Sequence, residues 1–406
     1  MTSWLSERVL LIAERKHLIG EGLEMRRAFL AGAAVAPLML AVTMAATPAQ
    51  AQSVIPVAAA SGQVVAGQYI VTLKTGSATR VASAHGITAK YVYTSAINGF
   101  AATLSGKQLR ALQRDSNVAS IEPNQVIRLE TTQSPTPSWG IDRIDQRNLP
   151  LSNSYTFTAN GTGVTAYVID TGINPTHPDF GGRAAVAFDA TGGNGIDCNG
   201  HGTHVAGTIG SASYGVAKNV QLRGVRVLDC SGFGTTAGVI DGVDFVTANS
   251  PGPSVANLSL GGGKSAALNR AVANLSNSGV LVAVAAANSA ANACSFSPAS
   301  EPTAVTVAAS DINDASASFT NFGRCVDLYA PGVQITSTWL GNTTNTISGT
   351  SMATPHVAGV AALYKSTFGD APSATVASFI TSNATPGVLT GVPKKTPNLL
   401  LYTNQL

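Results

Sequence analysis

Gly349-Thr350-Ser351-Met352-Ala353-Thr354-Pro355-His356-Val357-Ala358-Gly359 sets a serine between a Gly-Thr turn and a small-residue run with helical spacing through Leu363. The pattern predicts a helix with Thr350 as its cap and Ser351 as an opening residue. A helix start presents free backbone N–H groups and the positive end of the dipole. A hydroxyl there is well placed to attack a carbonyl, because the charge developing on the carbonyl oxygen finds donors beside it. The small residues let the helix bury against a sheet. Taken alone, the stretch also describes an ordinary serine at a capped helix start, so the rest of the chain decides its meaning.

Two upstream stretches do so. Gly163-Val164-Thr165-Ala166-Tyr167-Val168-Ile169-Asp170-Thr171-Gly172 reads as a β-branched strand ending in an Asp and a glycine turn. Asn199-Gly200-His201-Gly202-Thr203-His204-Val205-Ala206-Gly207 reads as a turn entering a second small-residue helix. An Asp at a strand's carboxyl end and a His and a Ser at two helix starts can converge on one edge of a parallel sheet. They supply the orienter, base and nucleophile of acyl transfer. His201 and His204 are also spaced as a metal pair could be, but no HExxH pattern or added carboxylate accompanies them. The order Asp, His, Ser is that of subtilisin.

These three motifs resemble those of the subtilase family, and the chain from Thr131 to Leu406 is similar to its proteinase K-like branch. The resemblance implies a secreted serine endopeptidase acting through Asp170, His201 and Ser351, in a three-layer α/β fold. It implies that Asn288, which ends Val282-Ala283-Val284-Ala285-Ala286-Ala287-Asn288, donates to the oxyanion with the Ser351 N–H. Two rival functions need different residues. An inactive binding protein of the same family would lack a triad or oxyanion residue, and a sedolisin-type Ser-Glu-Asp peptidase would carry an Asp where Asn288 stands.

The residues support that fold independently. Runs at Val164–Ile169, Gln221–Val227, Val255–Leu258, Leu281–Ala286 and Thr303–Ala308 read as strands, with helices such as Thr236–Asn249 and Ala266–Ser278 between them. Such alternation predicts a mostly parallel sheet with helices on both faces.

Ahead of this part, residues 67–130 read as β-α-β-β-α-β, a ferredoxin-like order. Ser105 caps a helix carrying Leu109 and Leu112. The segment resembles the inhibitor propeptide of subtilases, which implies a folding aid and intramolecular inhibitor within a propeptide of 52–130, removed near Glu130–Thr131. Residues 25–51 read as an export signal: Arg26-Arg27, an apolar run from Ala28 to Ala46, and Ala49-Gln50-Ala51 as the cleavage site. Residues 1–24 read as an upstream extension, with Met25 the true start. The catalytic part is expected to be a monomer spanning 131–406.

The formal charge of +3 is misleading taken whole. From Thr131 onward there are 12 Lys/Arg and 14 Asp/Glu, a net of −2. The basic excess therefore sits upstream, which argues against nucleic acid or an anionic membrane as partner of the catalytic part. Protein and peptide chains are the expected substrates.

The remaining site residues come from the resemblance. Ser259-Leu260-Gly261 and Gly232-Phe233-Gly234 correspond to the two edges between which a substrate strand is held, and Ala286 and Ala287 to the wall of the main specificity pocket. Glycines suit both edges, since a peptide added as a strand must approach the main chain closely. No acid at the pocket base is evident, so broad specificity is expected. Pro302, Ala304 and Asp327 correspond to one Ca²⁺ site, and Asp142, Asp145, Gln146, Ser152 and Ser154 to a second; all offer oxygen ligands. Four cysteines allow three pairings, and export favours disulfides. The resemblance implies Cys198–Cys230 and Cys294–Cys325. The usual Ala-Ala-Gly-Asn of the family is here Ala285-Ala286-Ala287-Asn288, which puts a methyl where the family has none.

Overall fold

The structure is a computed structural model that describes residues 54–60, 64–125 and 131–406. The expected extension, the export signal and the cleavage region at Glu130 lie outside the described residues. The chain divides into two compact units, Met1–Gln125 and Val126–Leu406.

The first unit follows the β-α-β-β-α-β order. Its antiparallel sheet runs Tyr91–Tyr93, Gly99–Thr103, Val64–Leu73, Val118–Gln125 in space. Val71, Phe100, Leu112 and Ile121 are fully buried at its core. Ser105 opens the Gly106–Leu112 helix with a capping box: its hydroxyl accepts the Gln108 N–H, and Gln108 Oε1 accepts the Ser105 N–H.

The second unit is built on a nine-stranded sheet. From one edge the order is Thr385–Pro386, Leu399–Leu400, Leu328–Pro331, Val305–Ser310 and Leu281–Ala285. It continues with Ser254–Leu258, Thr165–Asp170, Gln221–Arg226 and Ala184–Asp189. All neighbours are parallel except the first pair. The predicted strands are present to within about two residues. Ala184–Asp189 and Leu328–Pro331 were not expected, because alanines and a terminal proline carry little strand signal.

Successive residues of the central strands feed two cores, as a period of two requires. Ala166 and Val168 pack with Val205, Ile209, Met352, Val357 and Val360, from the His201–Gly210 and Thr350–Phe368 helices. Tyr167 and Ile169 pack with Val239, Val243, Leu268 and Val272, from the Thr236–Ala248 and Ala266–Asn277 helices. Covered on both faces, the strands are near-continuous apolar runs. The sheet's carboxyl edge is left to display Asp170.

Candidate active site

Asp170 ends its strand fully buried, and His201 opens its helix with a quarter of its side chain exposed. His201 Nδ1–H donates to Asp170 Oδ1 at 2.7 Å, and the same oxygen accepts the Thr171 N–H at 2.7 Å. Gly202 makes this approach possible, because a Cβ there would collide with the Gly172 carbonyl.

A second carboxylate braces the helix start. Asp197 Oδ1 accepts from the Thr171 hydroxyl and the Asn199 and Gly200 N–H groups, all at 2.9 Å. Its Oδ2 accepts the Thr203 N–H and hydroxyl at 2.8 and 2.6 Å. Sequence reasoning passed over Asp197, although an Asp just ahead of Asn-Gly is a turn signal. Burial of the His201 ring works to lower its pKa, but the charge and hydrogen bond of Asp170, with the charge of Asp197, leave it raised above 6.5. His204, three residues on, is fully buried, and desolvation pushes it down to about 4. Its Nε2 lies 3.0 Å from Ile335 O, a structural partner rather than a metal.

Ser351 sits in the first turn of the Thr350–Phe368 helix. The cap is Gly349, one residue earlier than predicted, because the Thr350 side chain is engaged elsewhere: its N–H and hydroxyl both donate to Asn288 Oδ1. Asn288 follows the Leu281–Ala285 strand by three residues. Ser351 Oγ donates to Ser259 O at 3.1 Å, and Ser259 Oγ donates to Ser351 O at 2.8 Å.

Two adjoining cavities open at this edge. One, of about 470 Å³, is lined by His201 and by both predicted edges, Gly232-Phe233-Gly234 and Ser259-Leu260-Gly261. Phe233 is 74% exposed there. The other, of about 320 Å³, is lined by Ser351, Asn288, Ala287, Ala285 and Leu260 to Gly263. Ala286 does not join them. Strand alternation turns it to the opposite face, fully buried with Ala293, Ala308 and Tyr329. Ala287 has φ +77°, in the left-handed region.

Both disulfides are present, Cys198–Cys230 and Cys294–Cys325. The first ties the chain three residues before His201 to the neighbour of cavity-lining Ser231.

Pro302, Ala304 and Asp327 line one cavity of about 410 Å³. Burial pushes the Asp327 carboxyl up to about 6, and its Oδ2 accepts the Thr306 N–H. A desolvated carboxylate on a cavity that Pro302 and Ala304 also line offers the oxygen chemistry Ca²⁺ takes. At the second place, Asp142 accepts from Ser152 and Asn153, and Gln146 Oε1 from Ser152 N–H. Ser152 and Ser154 hydroxyls are 2.8 Å apart. Burial pushes Asp145 up to about 7, the charge of Asp142 adding to it. Among the described residues no three His, Cys, Asp or Glu side chains cluster as a metal site, so either ion would depend on main-chain, amide and hydroxyl oxygens.

The comparisons with known proteins agree with this architecture. The subtilase family model matches residues 161–399, and the peptidase inhibitor I9 model matches residues 68–130. The chain is 54% identical over 316 residues to an extracellular serine proteinase of Thermus sp. (strain Rt41A), covering 77% of each. It is 44% identical over 359 residues to proteinase R of Parengyodontium album, covering 86% of this chain and 92% of the other. Among solved structures, a cold-adapted subtilisin-like serine proteinase matches at 54% identity with a TM-score of 0.65, over 66% of this chain and 99% of its own. The parallel sheet, the Asp-His pair on its edge and these likenesses together make the chain a member of the subtilase family of serine proteinases, preceded by an I9 inhibitor segment.

Proposed function

We propose that this subtilase is a secreted, self-processing endopeptidase of broad specificity. The observation that carries the reading is the 2.7 Å bond from His201 to a fully buried Asp170, with His201 on one cavity and Ser351 and Asn288 on the adjoining one. Ser351 Oγ attacks the substrate carbonyl, and His201 Nε2 takes its proton and returns it to the leaving amine. Asp170 fixes the tautomer and stabilises the imidazolium. The Asn288 amide and the Ser351 N–H receive the developing oxyanion. A peptide laid between Ser231–Gly234 and Ser259–Gly263 adds as a strand, so most of its recognition is main-chain. That is the basis for broad specificity.

Ca²⁺ would be held by Pro302, Ala304 and Asp327, and a second ion by Asp142, Asp145, Gln146, Ser152 and Ser154; it would supply structural cross-linking, not chemistry. The I9 segment serves as intramolecular inhibitor and folding aid, and 131–406 is the mature enzyme. Export is supported by the Arg26-Arg27 signal and by relatives named as extracellular. Among the described residues no helix is long and apolar enough to cross a membrane.

Purified wild type should cut casein and carry a serine-directed phosphonate on Ser351. Ser351→Ala should accumulate an uncut precursor lacking only its signal. Efficient processing of Ser351→Ala in a protease-free host would overturn the reading.

A further inference from the structure

Pro355 lies four residues after Ser351, inside the 19-residue helix. A proline has no N–H, so the Ser351 carbonyl loses the helical partner it would otherwise have, and the ring crowds that carbonyl outward. An unpaired carbonyl in this position is costly, because the helix around it is buried. Ser259, 3% exposed, fills the place: its hydroxyl donates to Ser351 O at 2.8 Å. Its direction is set by Asn257, wholly buried at the end of the Ser254–Leu258 strand, whose Nδ2 donates to Ser259 Oγ at 2.9 Å. Ser259 Oγ accepts from Asn257, so its single proton is committed to Ser351. The main chain of Ser259 closes the contact from the other side, its carbonyl accepting the Ser351 hydroxyl. Residue 351 is thus gripped at both its carbonyl and its side chain by residue 259, which follows directly on the Ser254–Leu258 strand.

We propose that Asn257 and Ser259 form a positioning relay for the nucleophile, in which the Ser259 hydroxyl replaces the main-chain donor that Pro355 removes. This rests on Ser351 being the nucleophile. The side chains of Asn257 and Ser259 reach the Ser351 carbonyl and not its hydroxyl. The relay fixes the tilt of the first helical turn, and with it the direction of the Ser351 side chain and N–H. Proline and serine are coupled: the proline creates the vacancy and the serine fills it. A helix with an ordinary residue at 355 would have no use for the Ser259 hydroxyl.

That coupling is the test. Ser259→Ala, Pro355→Ala and the double variant are compared with wild type on a chromogenic peptide, with active enzyme counted by phosphonate titration. In the wild-type background Ser259→Ala should lower kcat roughly tenfold, the scale of one buried hydrogen bond lost in the transition state. KM should stay within about twofold, because the peptide is held at residue 259 by main chain, while the hydroxyl removed is turned to Ser351 O. In the Pro355→Ala background the same change should cost less than about twofold, since the restored main-chain N–H serves Ser351 O. Equal losses in both backgrounds would overturn the relay, as would a lowered melting temperature with kcat per titrated site unchanged. Should Ser259→Ala not accumulate as folded enzyme, Ser259→Cys keeps the volume with a weaker donor. It should show a smaller loss, again reduced beside Pro355→Ala, and an equal loss in both backgrounds overturns the relay. Mapping the phosphonate keeps the two readings apart. Label on Ser351 with equal losses removes only the relay; label elsewhere in wild type removes Ser351 as nucleophile.

Discussion

Thr350 donates twice to Asn288: its main-chain N–H and its hydroxyl meet Asn288 Oδ1 at 2.8 and 2.9 Å. With the carbonyl end of the amide satisfied, the Nδ2 end is the one left for the cavity it shares with Ser351. On the proposed mechanism, Thr350 therefore aims the Asn288 amide at the oxyanion. Asn288→Ala should lower kcat by about 10²–10³, the range subtilisin itself gives for loss of such a donor, with little change in KM. Thr350→Val removes one of the two anchors and should cost less, about tenfold. Steady-state kinetics on one peptide checks both, and a Thr350→Val loss confined to KM would contradict the orienting role.

His201 must be neutral to act as base, and its pKa is raised above 6.5. The acidic limb of kcat/KM should therefore lie above pH 6.5. Asp170 and Asp197 face the ring as negative charges, and His204 lies on the same helix. Asp197→Asn removes one charge and should move the limb to lower pH. The sign for stability is opposite to that for activity. A raised imidazolium stabilises the fold fully below 6.5, and that contribution is lost as pH rises through the folded value. A pH–rate profile of both proteins checks this, and an unmoved limb in Asp197→Asn would count against it.

Chelation should lower the melting temperature and hasten autolysis while leaving kcat of the surviving enzyme unchanged. One site at a hundredfold excess over its Kd contributes about 2.7 kcal/mol. Asp327→Asn should remove part of that metal dependence without touching peptide turnover. Scanning calorimetry with and without Ca²⁺ reads the difference; equal metal-induced shifts in wild type and Asp327→Asn would remove Asp327 as a ligand.

Ala287 pairs a left-handed backbone with a methyl that lines the cavity beside Ser351. For an L-residue other than glycine this conformation costs roughly 1–2 kcal/mol. Asn288 nevertheless keeps both bonds to Thr350, so the strain is not passed on to it. Ala287→Gly should raise stability by about 1 kcal/mol and raise kcat/KM selectively for peptides with Phe before the cut, compared with Ala or Leu. A uniform gain on all three would instead locate the effect at Asn288.

The central sheet was legible because its strands are buried on both faces and read as unbroken apolar runs. The elements that carry Asp170, His201 and Ser351 were legible because the motifs mark a strand end and two helix starts. What escaped was set by contacts between distant segments. Nothing around Thr350 announces that its hydroxyl serves Asn288, 62 residues away, in place of capping its own helix. The resemblance put Ala286 on the pocket wall, and only the alternation along its chain turns it inward. The turn signal at Asp197 does not say that its carboxylate braces the His201 helix, and the substrate edge at Ser259 does not say that its hydroxyl serves Ser351 O.

The order of strands in the large sheet has a kinetic meaning. Ser254–Leu258 lies between Thr165–Asp170 and Leu281–Ala285, and Thr165–Asp170 pairs on its other side with Gln221–Arg226. Each such pairing must close a long loop before it is rewarded, so a sheet of this topology assembles slowly. The longest strand pairing among the described residues of the smaller antiparallel unit, Val64 with Gln125, spans less chain than that of Thr165 with Ser254. Asp170 belongs to an inner strand of the large sheet, while His201 and Ser351 arrive on helices 31 and 181 residues further along. A half-assembled chain therefore holds these three apart, and the power to cut peptide bonds appears only in the last stage of folding.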